Sequence, residues 1–172
     1  MADQPGPEAE EAVGRVRGNS CGIRRADATD CVLVAECVRA AYWKYIARIG
    51  REPAPLLADY PTLIDRGVVH VLAEPNTDGV RGVIVLWPTD EAMFIENVAV
   101  HPQYQGRGFG RCLMTFAEDR ARRACLPELR LYTNEAMTDN LAFYAHLGFE
   151  ETSRRVEDGY SRVFLRKRLR QI

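Results

Sequence analysis

The stretch FIENVAVHPQYQGRGFGRCLMTFAEDRARRA, residues 94–124, decides the fold. It reads as a strand, a turn and a helix in succession. From Phe94 to Val100 a single carboxylate, Glu96, stands among Phe94, Ile95, Val98, Ala99 and Val100. His101-Pro102 ends that strand, because proline has no N–H to offer a ladder. Gly106, Gly108 and Gly110 follow at alternate positions. After them Phe109, Cys112, Leu113, Phe116, Ala117 and Ala124 recur at helical spacing, with arginines on the other face.

A strand that feeds a glycine turn and a helix start makes an anion site. The first N–H groups of a helix have no partner inside it, and the helix dipole adds partial positive charge there. Glycines let backbone come close to a phosphate. Arg107 and Arg111 add forked cationic donors. The stretch therefore reads as a pyrophosphate cradle, with a plain tight turn as the alternative. Gly106-Arg107-Gly108-Phe109-Gly110 is G-x-G-x-G rather than the G-x-G-x-x-G of a dinucleotide fold, and no G-K-[ST] of a Walker loop is present.

Gln105 to Gly110 fits Q-x-x-G-x-G and resembles the acyl-CoA signature of the GNAT superfamily of N-acetyltransferases. The resemblance extends to the preceding strand with its Val100-His101-Pro102 ending. It extends also to a downstream N-x-x-x-Y followed by G-F, at Asn140, Tyr144, Gly148 and Phe149. Together these cover about half of the chain.

Outward from that centre, residues 1–19 are rich in Pro, Gly, Ala and Glu, and are expected to be a disordered tail. Residues 20–172 read as one domain. A short strand at 20–25 is followed by a helix over 28–49, with Asp27, Thr29 and Asp30 as candidate caps. Val34, Val38, Ala41 and Tyr45 form its apolar stripe, widened by Leu33, Cys37 and Ala40. Tyr42, Trp43, Tyr45, Arg48 and Arg51 crowd its end: either a substrate wall or core aromatics with a solvated rim. A second helix over 56–66 is interrupted at Pro61. Apolar runs at 68–74 and 80–87 flank an Asp-Gly turn and make a hairpin. After the central helix come a strand at 129–133, a helix over 140–147 capped by Asp139, and a hairpin of 149–156 with 160–169 across Asp158-Gly159. The order predicts an α+β (α/β) fold with a mixed, mostly antiparallel central sheet flanked by helices. The GNAT fold implies the same order.

The 172 residues are 47% hydrophobic with a net charge of −1, which suits one globular domain and gives no electrostatic case for nucleic acid or a membrane surface. Cys21, Cys31, Cys37, Cys112 and Cys125 show no metal-ligand spacing, and are expected to be free thiols in a reducing cytoplasm. Cys112 is expected in the core. No transmembrane run or signal peptide is expected, and no metal.

The resemblance implies acetyl-CoA as donor and an amine as acceptor, joined in a ternary complex by direct attack. It implies that Val98, Ala99 and Val100 pair with the pantetheine arm, the Val98 N–H serving as oxyanion donor. The pyrophosphate would rest on Gly106, Arg107, Gly108, Phe109, Gly110 and Arg111, with Gln105 at its edge and Asn140 as a further CoA contact. An alkylamine, of pKa about 10.4, arrives protonated, so a base is needed. Glu96 is the candidate, since burial in an apolar strand would raise its pKa; a solvent-facing Glu96 is the alternative, and His101 the fallback base. Tyr144, four residues after Asn140, is by resemblance the acid that protonates the CoA thiolate; on the residues alone, next to Phe143, it reads as core. A different class of function, a silent acyl-CoA sensor on the same fold, stays open. So do the acceptor, a small-molecule or a peptide or protein amine, and a homodimer.

Overall fold

The computed structural model describes residues 22–73 and 79–170. The expected tail and most of the first Asp-Gly turn lie outside them.

Strand β1 (Ile23–Arg25) leads into a 3-10 turn, Ala28–Asp30, closed by a capping box. Asp27 accepts from the Thr29 N–H at 2.8 Å, and Asp30 accepts from the Asp27 N–H at 2.9 Å. Helix α1 (Cys31–Tyr42) buries Val34, Cys37, Val38 and Ala41 of the expected stripe and Tyr42 besides, while Leu33 and Ala40 are only partly buried. The expected continuous helix tightens at Trp43–Tyr45 into a 3-10 turn, resumes as α2 (Ile46–Ile49) and stops at Gly50, φ 79°. At three residues per turn Tyr42 and Tyr45 share one face and are both buried, while Trp43 points outward at 63% exposure. Residues Ala54–Leu57 form another 3-10 turn before α3 (Tyr60–Asp65). Pro61 sits in the first turn of α3 rather than interrupting a helix. That turn needs no N–H from it, and Asp59 caps the helix through the Thr62 N–H at 3.2 Å.

Strands β2 (Val69–Ala73), β3 (Val80–Pro88), β4 (Met93–Val100), β5 (Glu128–Asn134), β6 (Glu150–Glu157) and β7 (Tyr160–Arg168) complete a seven-stranded sheet of order β1-β2-β3-β4-β5-β7-β6. Among the described residues only β4 with β5 runs parallel. Helix α4 (Phe109–Arg123) joins those two strands, and α5 (Thr138–His146) joins β5 to β6. The expected Asp139 cap of α5 is displaced: Met137 holds the cap position. Asp139 lies in the first turn, where a carboxylate meets the positive helix end, and reaches Lys44 at 3.4 Å and Arg48 at 3.5 Å. Asp158 (φ 53°) and Gly159 (φ 77°) are both left-handed, the pair of conformations that a tight two-residue hairpin turn requires.

The sheet separates two cores. Val34, Val38, Val69, Val71, Val83, Val85 and Ala99 pack beneath α1 and α3. Leu72, Ile84, Met93, Ile95, Leu113, Leu129 and Leu131 pack beneath α4 and α5. Ile95 and Ala99 have the same parity along β4 yet face opposite cores. The register explains it. Val85 pairs with Asn97 and Leu86 with Ile95, so Glu96 is an extra residue, a bulge that reverses the alternation.

Cys31, Cys37 and Cys125 are free thiols. Cys112 is buried in the second core as expected but is disulfide-bonded, which corrects the free-thiol reading at that position. Among the described residues no helix is long and apolar enough to cross a membrane.

Candidate active site

The parallel pairing of β4 with β5 runs through Met93–Leu129, Phe94–Arg130 and Ile95–Leu131, and ends there. From the Glu96 bulge onward the two strands part. The orientation of the freed backbone follows from one bond. The His101 N–H donates to Arg81 O at 2.9 Å, so His101, Ala99 and Asn97 turn their polar groups toward β3. Val98 and Val100 therefore turn theirs away from it. Gln105 Nε2 donates to Val100 O at 2.9 Å, and the Tyr42 hydroxyl lies 3.1 Å from Val98 O. The two N–H groups face the split.

That split is a cleft of about 400 Å³. Val98, Ala99 and Val100 line one side and Gln105, Gly106, Gly108, Phe109, Gly110 and Arg111 another. Asn140 and Tyr144 come from α5, Tyr42 and Tyr45 from the end of α1. Arg107 stands apart from the wall, its guanidinium 5.7 Å from the centre of the Tyr104 ring. The three glycines serve different needs. Gly106 and Gly108 have φ of 75° and 84°, which side-chain-bearing residues adopt at a cost, while a Cβ on either would meet nothing within 4 Å. A Cβ on Gly110 would stand 3.1 Å from the Phe143 ring, so Gly110 sets the approach of α4 to α5. Gly108 is the N-cap of α4 and offers no side-chain cap, leaving the first-turn N–H groups without an internal acceptor.

Tyr144 is at once core and site. It is 6% exposed, its ring lies against Phe143 and Phe149, and it lines the cleft. Burial, with a smaller contribution from Tyr45, lifts its pKa above the ordinary phenol range. Asn140 accepts from the Tyr45 hydroxyl at 3.3 Å. His101 lines neither this cleft nor the recess described next; its Nδ1 accepts from the Gln103 N–H at 3.3 Å.

Glu96 opens into a second, narrower recess of about 50 Å³, walled by Tyr42, Tyr132, Tyr160, Met137 and Arg162. Tyr42 is the one lining residue that the two spaces share. The Tyr132 hydroxyl donates to the Glu96 carboxylate at 3.2 and 3.4 Å. Burial raises the Glu96 pKa, and Tyr132 and Arg162 offset part of the rise. Tyr132 in turn is pushed up to about 12, by burial first and then by the Glu96 charge. A chain of hydrogen bonds fixes the shared wall. The Tyr42 hydroxyl donates to Asn97 Oδ1 at 2.7 Å, Asn97 Nδ2 donates to the Tyr60 hydroxyl at 3.1 Å, and that hydroxyl donates to Pro55 O at 2.7 Å. Tyr60, Asn97, Tyr132 and Arg162 were not singled out by the sequence. Among the described residues no group of three His, Cys, Asp or Glu could hold a metal.

The aromatic segment at the end of α1 divides between the two readings offered for it. Tyr42 and Tyr45 line the cleft, Arg48 pairs with Asp139, and Arg51 stacks 4.1 Å from the centre of the Tyr160 ring.

Residues 65–151, half of the chain, match the family model described as an acetyltransferase (GNAT) domain. Among solved structures, the PaiA N-acetyltransferase of Thermoplasma acidophilum in complex with coenzyme A is similar at a TM-score of 0.71 and 20% identity, over 86% of this chain and 98% of that one. The ribosomal-protein-S18-alanine N-acetyltransferase of Escherichia coli aligns at 0.63 and 18%, over 87% and 94%. A GNAT family acetyltransferase from Elizabethkingia anophelis with acetyl-CoA bound aligns at 0.52 and 26%, over 66% and 87%. A search of curated proteins found no match.

Proposed function

This chain belongs to the GNAT acetyltransferases, and from that premise we propose that it moves an acetyl group from acetyl-CoA to a primary amine. The observation that carries the proposal is the parting of β4 from β5: it places unpaired β4 backbone beside the uncapped start of α4, in a cleft adjoining a recess that holds a half-buried carboxylate.

In this reading the first-turn N–H groups of α4 and the Gly106–Arg111 backbone hold the pyrophosphate. The Val98 and Val100 N–H groups hold the pantetheine arm, and the Val98 N–H stabilises the charge that develops on the thioester oxygen. Glu96 removes one proton from the ammonium, and its raised pKa suits that task. The nitrogen lone pair forms the N–C bond as the C–S bond breaks. Tyr144, kept protonated by burial, delivers a proton to the departing thiolate. The proton that the nitrogen sheds on collapse balances that delivery, and the proton on Glu96 passes to solvent.

Thermal unfolding with acetyl-CoA, ADP and NAD tests donor binding. At a hundred times its dissociation constant acetyl-CoA stabilises the fold by about 2.7 kcal/mol, and NAD does not. Mass spectrometry of an amine panel then reads the transfer. Tyr144→Phe is expected to lower turnover by roughly 100-fold or more while the acetyl-CoA shift survives. Stabilisation by acetyl-CoA with no acetylated product from any amine would replace this reading with that of a silent acyl-CoA-binding module.

A further inference from the structure

The cleft and the recess meet at one wall. Among the described residues Tyr42 alone lines both. Its ring is held in place. It is 7% exposed, its hydroxyl donates to Asn97 Oδ1 at 2.7 Å and lies 3.1 Å from Val98 O, and the Tyr45 ring stands 6.1 Å away, centre to centre. Asn97 is itself buried and tied onward to Tyr60 and so to Pro55, which leaves the ring little freedom to step aside. Beyond Tyr42 the recess offers about 50 Å³, against about 400 Å³ in the cleft. The N–H and the carbonyl of one extended residue point to the same side of the strand. A thioester oxygen held on the Val98 N–H therefore lies beside the carbonyl that Tyr42 approaches, and the thioester carbon comes next to the Tyr42 side chain.

We infer that Tyr42 sets the length of the acyl group, admitting acetyl and rejecting propionyl and longer chains, because the acyl carbons lie against its fixed ring where the two spaces join. This deepens the reading above and rests on it. Three directions at the reacting carbon are already assigned. The oxygen turns to the Val98 N–H, the sulfur to the cleft and Tyr144, and the nitrogen arrives from the recess. The acyl methyl takes the direction that remains, toward the shared wall. One further carbon has two outlets. It can press on a ring that is packed and hydrogen-bonded, which a close-packed interior resists. Or it can pass the ring into the recess, and there it takes the space that the acceptor amine must fill. Discrimination therefore acts at the reacting end, while the contacts to pantetheine and pyrophosphate are the same for every acyl-CoA.

The test compares acetyl-CoA, propionyl-CoA and butyryl-CoA as donors, with the amine of the panel that is acetylated fastest, by mass spectrometry of the product. Propionyl-CoA is expected to stabilise the fold against heat as acetyl-CoA does. Its kcat/KM is expected to be at least about tenfold lower, and that of butyryl-CoA lower again. Tyr42→Leu, which shortens the wall, is expected to raise the propionyl-to-acetyl ratio by about tenfold or more, the acetyl-CoA melting shift showing that the fold persists. Where the leucine variant does not fold, Tyr42→Met serves: it keeps bulk in the core but replaces a rigid ring with a chain that bends, and is expected to move the ratio in the same direction. Propionyl-CoA used as well as acetyl-CoA by the unaltered protein, or a ratio unchanged in the folded variant, would overturn the inference and leave the acetyltransferase reading standing. No acetylated product from any amine would overturn both.

Discussion

Glu96 and its neighbours show how a side chain acquires a role from its surroundings. Burial raises the Glu96 pKa, while the Tyr132 hydroxyl and the Arg162 charge restrain the rise, so the carboxylate stays able to ionise where an amine must lose a proton. Glu96→Gln is therefore expected to lower kcat/KM by roughly 100-fold near neutral pH, and by progressively less toward pH about 10, where the amine is free without help. A rate profile against pH checks this, and a deficit of the same size at every pH would mean that Glu96 only shapes the recess. Glu96 was legible as the lone carboxylate of an apolar strand. Tyr132 was not, because the two meet only through the parallel register that sets Ile95 beside Leu131, and no local pattern announces which residues of two distant strands will stand side by side.

At the scale of elements, the glycine turn carried its meaning openly and the end of α1 did not. Alternate glycines before an amphipathic run announce a helix entry, and the structure starts α4 there with Gly108 as its cap. The residues that part company are Gly108 and Gly110. An aspartate at 108 would bring a carboxylate to the helix start that is expected to hold phosphates, so Gly108→Asp is expected to abolish acetyl-CoA stabilisation while far-ultraviolet circular dichroism stays native. Gly110→Ala would push the Phe143 ring and with it α5. It is expected to lower the melting temperature, through an overpacking cost of about 1–3 kcal/mol, before it touches affinity. Unchanged acetyl-CoA binding in the aspartate variant would remove the turn from the donor site. The helix expected over 28–49 has instead a 3-10 turn at Trp43–Tyr45, since side-chain periodicity alone does not report a local tightening that brings Tyr42 and Tyr45 onto one face.

The whole molecule depends on a group remote from the cleft. His70 on β2 is 7% exposed, rests 4.9 Å from the Phe116 ring, and has an Nδ1 with no hydrogen-bond partner. Burial first, then Arg120 and Arg25, lower its pKa to about 4. An unfolded chain binds this proton near pH 6.5 and the folded one does not, so stability is lost as pH falls through that interval. Urea unfolding is expected to show a loss of about 2 kcal/mol between pH 7 and pH 5 from this residue, and His70→Gln should flatten that part of the profile; the same slope in the variant would assign it to other groups. The mixed, mostly antiparallel sheet and its hairpins followed from the alternation of runs and turns, whereas the placement of β7 between β5 and β6 did not, since it is set by long-range pairing. The partition into two spaces did not, because it depends on one extra residue in β4. That partition has a consequence for ligand design. Since the cleft and the recess share Tyr42 alone, a small compound can sit in each at once, and two weak inhibitors should act together rather than exclude one another. Tethered past Tyr42 by a linker of the right span, the pair would gain the high effective concentration of an intramolecular partner, and should bind far more tightly than either fragment.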